Sequence, residues 1–323
     1  MDLLVAEFLG TPVWMWAAFM TVVVALLAFD LGVLHRDNHV IGVAESVTLS
    51  AGYIGIGLLF GAWVWTQLGD QAGLEYLTGF VVEKSLAMDN VFVIAMIFAY
   101  FAVPQQFQHR VLFWGILGVI VLRAVMIGVG TALVAEFAWV LYLFAVFLVF
   151  TGINMFLMAD KTYDVGANPM IGLVRRVFNV TDEPYGDRFF VRRPDAKGRM
   201  VLFATPLFLA LVLIEVADVI FAVDSVPAIF AITTDPYIVY TSNIFAILGL
   251  RALYFALAAM IHRFHFLKYA LAALLIFIGA KIFIADLLAL EKFPPVWSLS
   301  VTFAILATGV IYSLWRTRTK SAA

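Results

Sequence analysis

Long apolar runs, broken by brief polar punctuation, dominate the chain. About 20 apolar residues cross a bilayer as one helix. Nine stretches reach that scale: 13–33, 43–67, 76–101, 110–133, 137–158, 202–232, 237–261, 267–289 and 296–315. Outer-membrane strands would instead show short segments alternating apolar with polar, and none occur. The pattern predicts an all-α polytopic membrane protein of nine transmembrane helices. Its connections are short except for 159–200, which holds most of the soluble charge and several Pro and Gly residues. That stretch reads as one cytoplasmic loop, with a short amphipathic helix at Leu173–Val180.

Composition and charge add orientation. The chain is 64% hydrophobic and 13% charged, with mean hydropathy +1.02. A soluble domain carries roughly 25% charged residues, so lipid must be part of the solvent. Net charge is −2, which argues against a nucleic-acid partner. There are no cysteines, which removes disulfides and thiolate chemistry. Met1 is followed by Asp2 and Glu7 rather than a basic region, so the first apolar stretch is expected to stay as a helix. Threading nine helices puts Arg36, Arg110, Lys161, Arg175, Arg176, Arg188, Arg192, Arg193, Lys197, Arg199, Arg263, Lys268, Arg316, Arg318 and Lys320 on one side. The other side has only Lys292, with Asp2, Glu7, Asp70, Glu75, Glu136 and Asp235. The positive side faces the cytoplasm, so the N-terminus is expected outside and the C-terminus inside.

The chain also repeats itself. Residues 83–94, EKSLAMDNVFVI, align with 218–229, DVIFAVDSVPAI, which sets Glu83 on Asp218 and Asp89 on Asp224. Leu122-Arg123-Ala124 matches Leu250-Arg251-Ala252, and 142–156 matches 269–283 without a gap, Gly152 on Gly279. Each copy holds three helices, and an odd number inverts the second copy in the membrane. The expected organisation is two N-terminal helices (1–74), repeat 1 (75–160), the loop (161–200), inverted repeat 2 (201–292), then a last helix with a basic tail (293–323).

The chemistry lies in acids within the first helix of each repeat: Glu83, Asp89, Glu215, Asp218 and Asp224. Each charge near a bilayer centre costs roughly 2.5–3.5 kcal/mol, so five uncompensated charges would cost roughly 12–18 kcal/mol. Internal counter-charges are few: Lys84, Arg123, Arg251 and Lys281. Arg123 and Arg251 read as structural partners of the acids. The remaining anions need protons, water or a bound cation. Oxygen ligands without Cys, and with the five His near helix ends, favour hard divalent ions. Asn90 and Ser225, following the repeat aspartates, could add neutral oxygens. Residues six apart on a helix differ by about 120° in azimuth, so convergence of all five requires facing helices and a local unwinding. Pro227 suggests where, since it has no N–H for the carbonyl of Val223. Asp30, Asp160 and Asp286, near helix ends, read as interfacial.

EKSLAMDNVFV (83–93) and EVADVIFAVDSVPAIFAITTD (215–235) resemble the signatures of the TerC family over residues 75–290, and the loop with FFVRR (189–193) resembles its Alx branch. The resemblance implies a multi-pass bacterial inner-membrane exporter of Mn²⁺, with Ca²⁺ in some relatives. It implies metal ligands at Glu83, Asp89, Asn90, Glu215, Asp218 and Asp224. Asn154 departs from the family's Lys, which Lys281 keeps in the second copy. No resident cofactor is expected, and the partners are the bilayer, the metal and a proton or Na⁺ counter-ion; a homo-oligomer is compatible. Two other classes compete. An intramembrane aspartyl hydrolase would use Asp89 and Asp224, but Met88 and Val223 precede them and the expected glycines are missing; the chain is therefore read as not an enzyme. A membrane stress or redox modulator or scaffold, of tellurium-resistance type, would act through the loop without transport.

Overall fold

The computed structural model describes residues 6–32, 42–157, 166, 169–181, 183, 185–194, 199–258, 267–290 and 293–320. Asp2, Arg36, Asp160, Lys161, Lys197, Arg263 and Lys292 lie outside the described residues, as do the side chains of Asp30, Asp89, Arg251, Arg318 and Lys320.

A helix occupies each of the nine apolar stretches. In chain order they are α1 (Val13–Gly32), α2 (Val43–Leu68), α3 (Asp70–Tyr100), α4 (Gln105–Glu136) and α5 (Val140–Leu157). After the loop helix α6 (Pro169–Val177) come α7 (Pro206–Phe230), α8 (Pro236–Leu248), α9 (Leu250–Ala258), α10 (Leu267–Leu287) and α11 (Pro295–Lys320). Six of them, α2, α4, α5, α7, α10 and α11, are long and apolar enough to cross a membrane. The apolar parts of α1 and α8 are shorter. The chain is thus a polytopic helical membrane protein.

Three expectations are corrected. The fold is not wholly α. A hairpin pairs β1 (Glu7–Phe8) with β2 (Thr11–Pro12), and the loop folds into a small sheet. There β5 (Met200–Ala204) lies between parallel β3 (Asn179–Val180) and antiparallel β4 (Phe190–Pro194), in register Arg192 opposite Leu202. The amphipathic helix is Pro169–Val177, ending before Val180. And α3 and α7, which carry the acids, run unbroken; the discontinuity falls between α8 and α9 at Gly249.

Local chemistry explains these limits. Thr205 precedes Pro206 at the first turn of α7, where a missing N–H costs nothing. Pro227 lies one turn from the end of α7, so its lost hydrogen bond ends a helix rather than breaking one. Asp235 caps α8, its Oδ1 accepting from the N–H groups of Tyr237 (2.8 Å) and Ile238 (3.3 Å). At Gly249 an added Cβ would stand 2.8 Å from Lys84 Nζ. Lys84 reaches this break to donate to the Ala246 carbonyl at 2.9 Å, a cation on the negative end of α8. Among the described residues it is therefore spent on a helix end rather than on a carboxylate.

Packing pairs the two halves. Helix α3 packs on α8, and α4 packs on α7, so the helices that hold the two aligned acid segments each meet the helix that follows the other segment. The third helices, α5 and α10, share the closest seam. A Cβ on Gly152 would meet the Ala272 carbonyl at 2.7 Å, and one on Gly279 would meet the Ala145 carbonyl at 2.6 Å. The gapless alignment sets Ala145 on Ala272 as well as Gly152 on Gly279, so the contact is reciprocal, as at a two-fold interface. Without a hydrophobic drive between helices in lipid, such small residues let backbones approach closely enough to gain dispersion.

Candidate metal-binding site

The site is built on α3, α4, α7 and α8, around one buried guanidinium. Arg123 of α4 is 1% exposed. Its Nη1 lies 2.6 Å from Glu83 of α3, and its Nη2 3.6 Å from Asp218 of α7. Nη1 also donates to Ser225 Oγ (2.8 Å) and Asn243 Oδ1 (3.2 Å). Asn243 in turn donates to the second oxygen of Glu83 at 3.1 Å. Asn90 donates to Asp218 Oδ1 at 3.4 Å. The aligned acids Glu83 and Asp218 therefore share one arginine, and the aligned neutral residues Asn90 and Ser225 flank them.

A cavity of about 240 Å³ opens beside this network. Glu83, Asn90, Arg123, Ser225, Asp224, Thr151 and Asn154 all line it. A water-sized space of about 30 Å³ adjoins Asn90 and Asp218 nearer Gly115 and Leu250; Asn90 and Phe221 line both. Several polar atoms here have no partner among the described residues: Asp218 Oδ2, Asn90 Oδ1, Arg123 Nε and Glu215 Oε2. Buried oxygens left open in this way cost about 1–3 kcal/mol each, and they are what a hard cation takes.

The structure groups the expected ligands unevenly. Glu83, Asn90 and Asp218 come together, with Ser225 and Arg123 between them. Asp224 lines the same cavity. Glu215 sits against α4, where a Cβ on Gly118 would overlap its carboxylate. Along α7 the acids 215, 218 and 224 span about 14 Å at 1.5 Å per residue. Among the described residues no three His, Asp or Glu side chains converge to hold one metal ion. The four acids with described side chains, Glu83, Glu215, Asp218 and Asp224, do not meet at one point; Glu83 and Asp218 share Arg123.

Two participants escaped the sequence reading. Asn243 is fully buried and bridges Arg123 to Glu83; its signal was a lone amide in the apolar stretch 236–258. Gly118 had none, since its role is to leave room for Glu215. We expect Asn243→Ala to cost about 1–3 kcal/mol, the loss when a buried partner goes unmatched. Thermal unfolding in detergent measures this, and a cost under about 0.5 kcal/mol would show the bridge to be idle.

The fold and site define a multi-pass integral membrane protein with paired intramembrane carboxylates. The family described as "Integral membrane protein TerC family" matches residues 68–321, and the chain belongs to that family. It is 48% identical over 301 residues to an uncharacterized membrane protein of Rickettsia bellii, covering 93% of this chain and 97% of that one. It is 45% identical over 315 residues to Alx of Escherichia coli, by its name a candidate membrane-bound redox modulator, with 95% of each chain covered. No solved structure matches.

Proposed function

We propose that this chain exports a divalent metal cation, Mn²⁺ foremost and Ca²⁺ second, across the bacterial inner membrane by alternating access of its repeats. It crosses nine times, with the N-terminus outside and the C-terminus in the cytoplasm, and its two three-helix repeats have inverted topology. The observation that carries this reading is the shared arginine. Glu83 and Asp218 occupy equivalent repeat positions and meet at Arg123 beside a cavity that Asp224 also lines. An acid pair serving only as helix glue would be closed and saturated; this one leaves Asp218 Oδ2 and Asn90 Oδ1 open. The reciprocal Gly152 and Gly279 seam supports the repeat symmetry. A third cavity of about 360 Å³, lined by Lys281, Asp286 and Thr233, suits an outer vestibule.

The test is the purified protein in liposomes under a Mn²⁺ gradient, with and without a pH gradient to reveal a proton counter-ion. Asp218→Asn and Asp224→Asn should each slow Mn²⁺ efflux at least about tenfold, as when a metal site loses part of its ligand support. Flux that both variants leave at the wild-type rate would sink the site.

A second reading comes from Alx, whose name points to redox modulation. It would place the activity in the folded loop, which is tied to the bundle by the ion pair of Arg110 with Asp187. The absence of cysteine excludes direct thiol exchange. Deleting 163–197 separates the two readings: Mn²⁺ flux that persists leaves the loop a regulatory role at most.

A further inference from the structure

We infer that Arg123 is a tethered cation that stands in for the metal between loadings, and that loading swings it toward Asp224. This rests on the export reading and adds how the empty carrier returns. Arg123 holds Glu83 and Asp218 together from the two repeats. A guanidinium keeps its charge at every accessible pH, so it cannot step aside by losing a proton. A divalent ion between the same two carboxylates would lie within a few ångströms of that charge. Metal and guanidinium therefore exclude each other, and the side chain must move.

The structure supplies both space and destination. Arg123 and Asp224 both line the cavity of about 240 Å³. Arg123 is anchored on Glu83 at 2.6 Å and on Ser225 and Asn243, but the set is not closed: its Nε has no hydrogen-bond partner among the described residues, and the Asp218 contact is loose at 3.6 Å. In the empty state the guanidinium offsets one of the two carboxylate charges and a proton on the other acid completes the balance, so the pair can reorient through the low-dielectric bundle without metal. In the loaded state the metal balances the pair, and Asp224 receives the arginine. Arg123 is a positioning residue that competes with the cargo.

The experiment compares wild type, Arg123→Gln and Arg123→Lys in proteoliposomes. Net Mn²⁺ efflux into metal-free medium is measured beside Mn²⁺/Mn²⁺ exchange at equal concentrations, and Mn²⁺ affinity is measured on purified protein. Exchange needs only the loaded carrier to reorient, whereas net efflux also needs the empty one. Arg123→Gln should bind Mn²⁺ about tenfold more tightly, because the competing state is gone. Its net efflux should fall by about tenfold or more while exchange stays within about threefold of wild type. Arg123→Lys keeps a charge on a shorter arm without the planar fork, so its affinity should lie between the two, with net efflux retained. Equal loss of both fluxes in a Gln variant that elutes as wild type does, or no change in either, overturns the inference. Should the Gln variant aggregate, the Lys variant decides: affinity equal to or weaker than wild type overturns it. If wild type moves Mn²⁺ in neither mode, the export reading falls, and this one with it.

Discussion

Glu83→Ala should destabilise the protein by about 3–5 kcal/mol, the range for breaking a buried ion pair by removing one partner. The cost comes chiefly from what is left behind. Arg123 stays 1% exposed, with Asp218 at 3.6 Å as its remaining anion among the described residues, and Asn243 loses the oxygen to which it donates. Membrane surroundings offer no water to replace them. The exposed acid Glu136, at the end of α4, is the control; Glu136→Ala should stay within about 0.5 kcal/mol. A double-mutant cycle adds a sharper requirement. Glu83→Ala combined with Arg123→Ala should cost less than the sum of the two singles by at least about 1 kcal/mol, because neither leaves the other unpaired. Thermal unfolding of all four proteins in one detergent measures this. Strict additivity would mean that the 2.6 Å contact carries no energy, and the account of the site's centre would fail with it.

Much of this was legible in the chain, for physical reasons that differ by element. Helices announce themselves in lipid because every backbone group must be satisfied within its own segment, so runs such as 110–133 and 267–289 were unambiguous. The acids stood out because charge is expensive there. What stayed hidden depended on contacts between distant segments. The strand Met200–Ala204 merges into the apolar run of α7, and pairing with Phe190–Pro194 and Asn179–Val180 separates it. The break at Gly249 is set by Lys84 and Tyr53 crowding a position without Cβ, whereas Pro227, the obvious breaker, stands too near a helix end to matter. The azimuth argument demanded an unwound helix because it required five acids at one point. The structure does not gather the four whose side chains it describes at one point, so the unbroken α3 and α7 meet no such demand. Arg123 was visible as a counter-charge; that it serves the aligned acids Glu83 and Asp218 at once needed the fold.

The seam between α5 and α10 is the second place where a single substitution should have a large effect. Gly152→Val and Gly279→Val each drive a side chain into a backbone carbonyl, of Ala272 at 2.7 Å and of Ala145 at 2.6 Å. A backbone on a packed helix cannot yield as a side-chain tip does, so the helices must separate. Overpacking alone costs about 1–3 kcal/mol, and here the whole seam loses the close approach that holds helices together in lipid. Both variants should therefore unfold at markedly lower temperature, and by similar amounts, because the two glycines meet equivalent partners. The double variant should lose less than the sum, since a seam opened by one valine already has room for part of the other. Gly172→Ala is the control: nothing lies within 4 Å of its added Cβ, and in a helix it should be neutral or gain up to about 1 kcal/mol. Monodispersity after graded heating reads all four variants on one scale. If one valine is tolerated and the other is not, the seam is not a two-fold contact. The repeats would then share a sequence pattern without sharing the symmetry that alternating access needs.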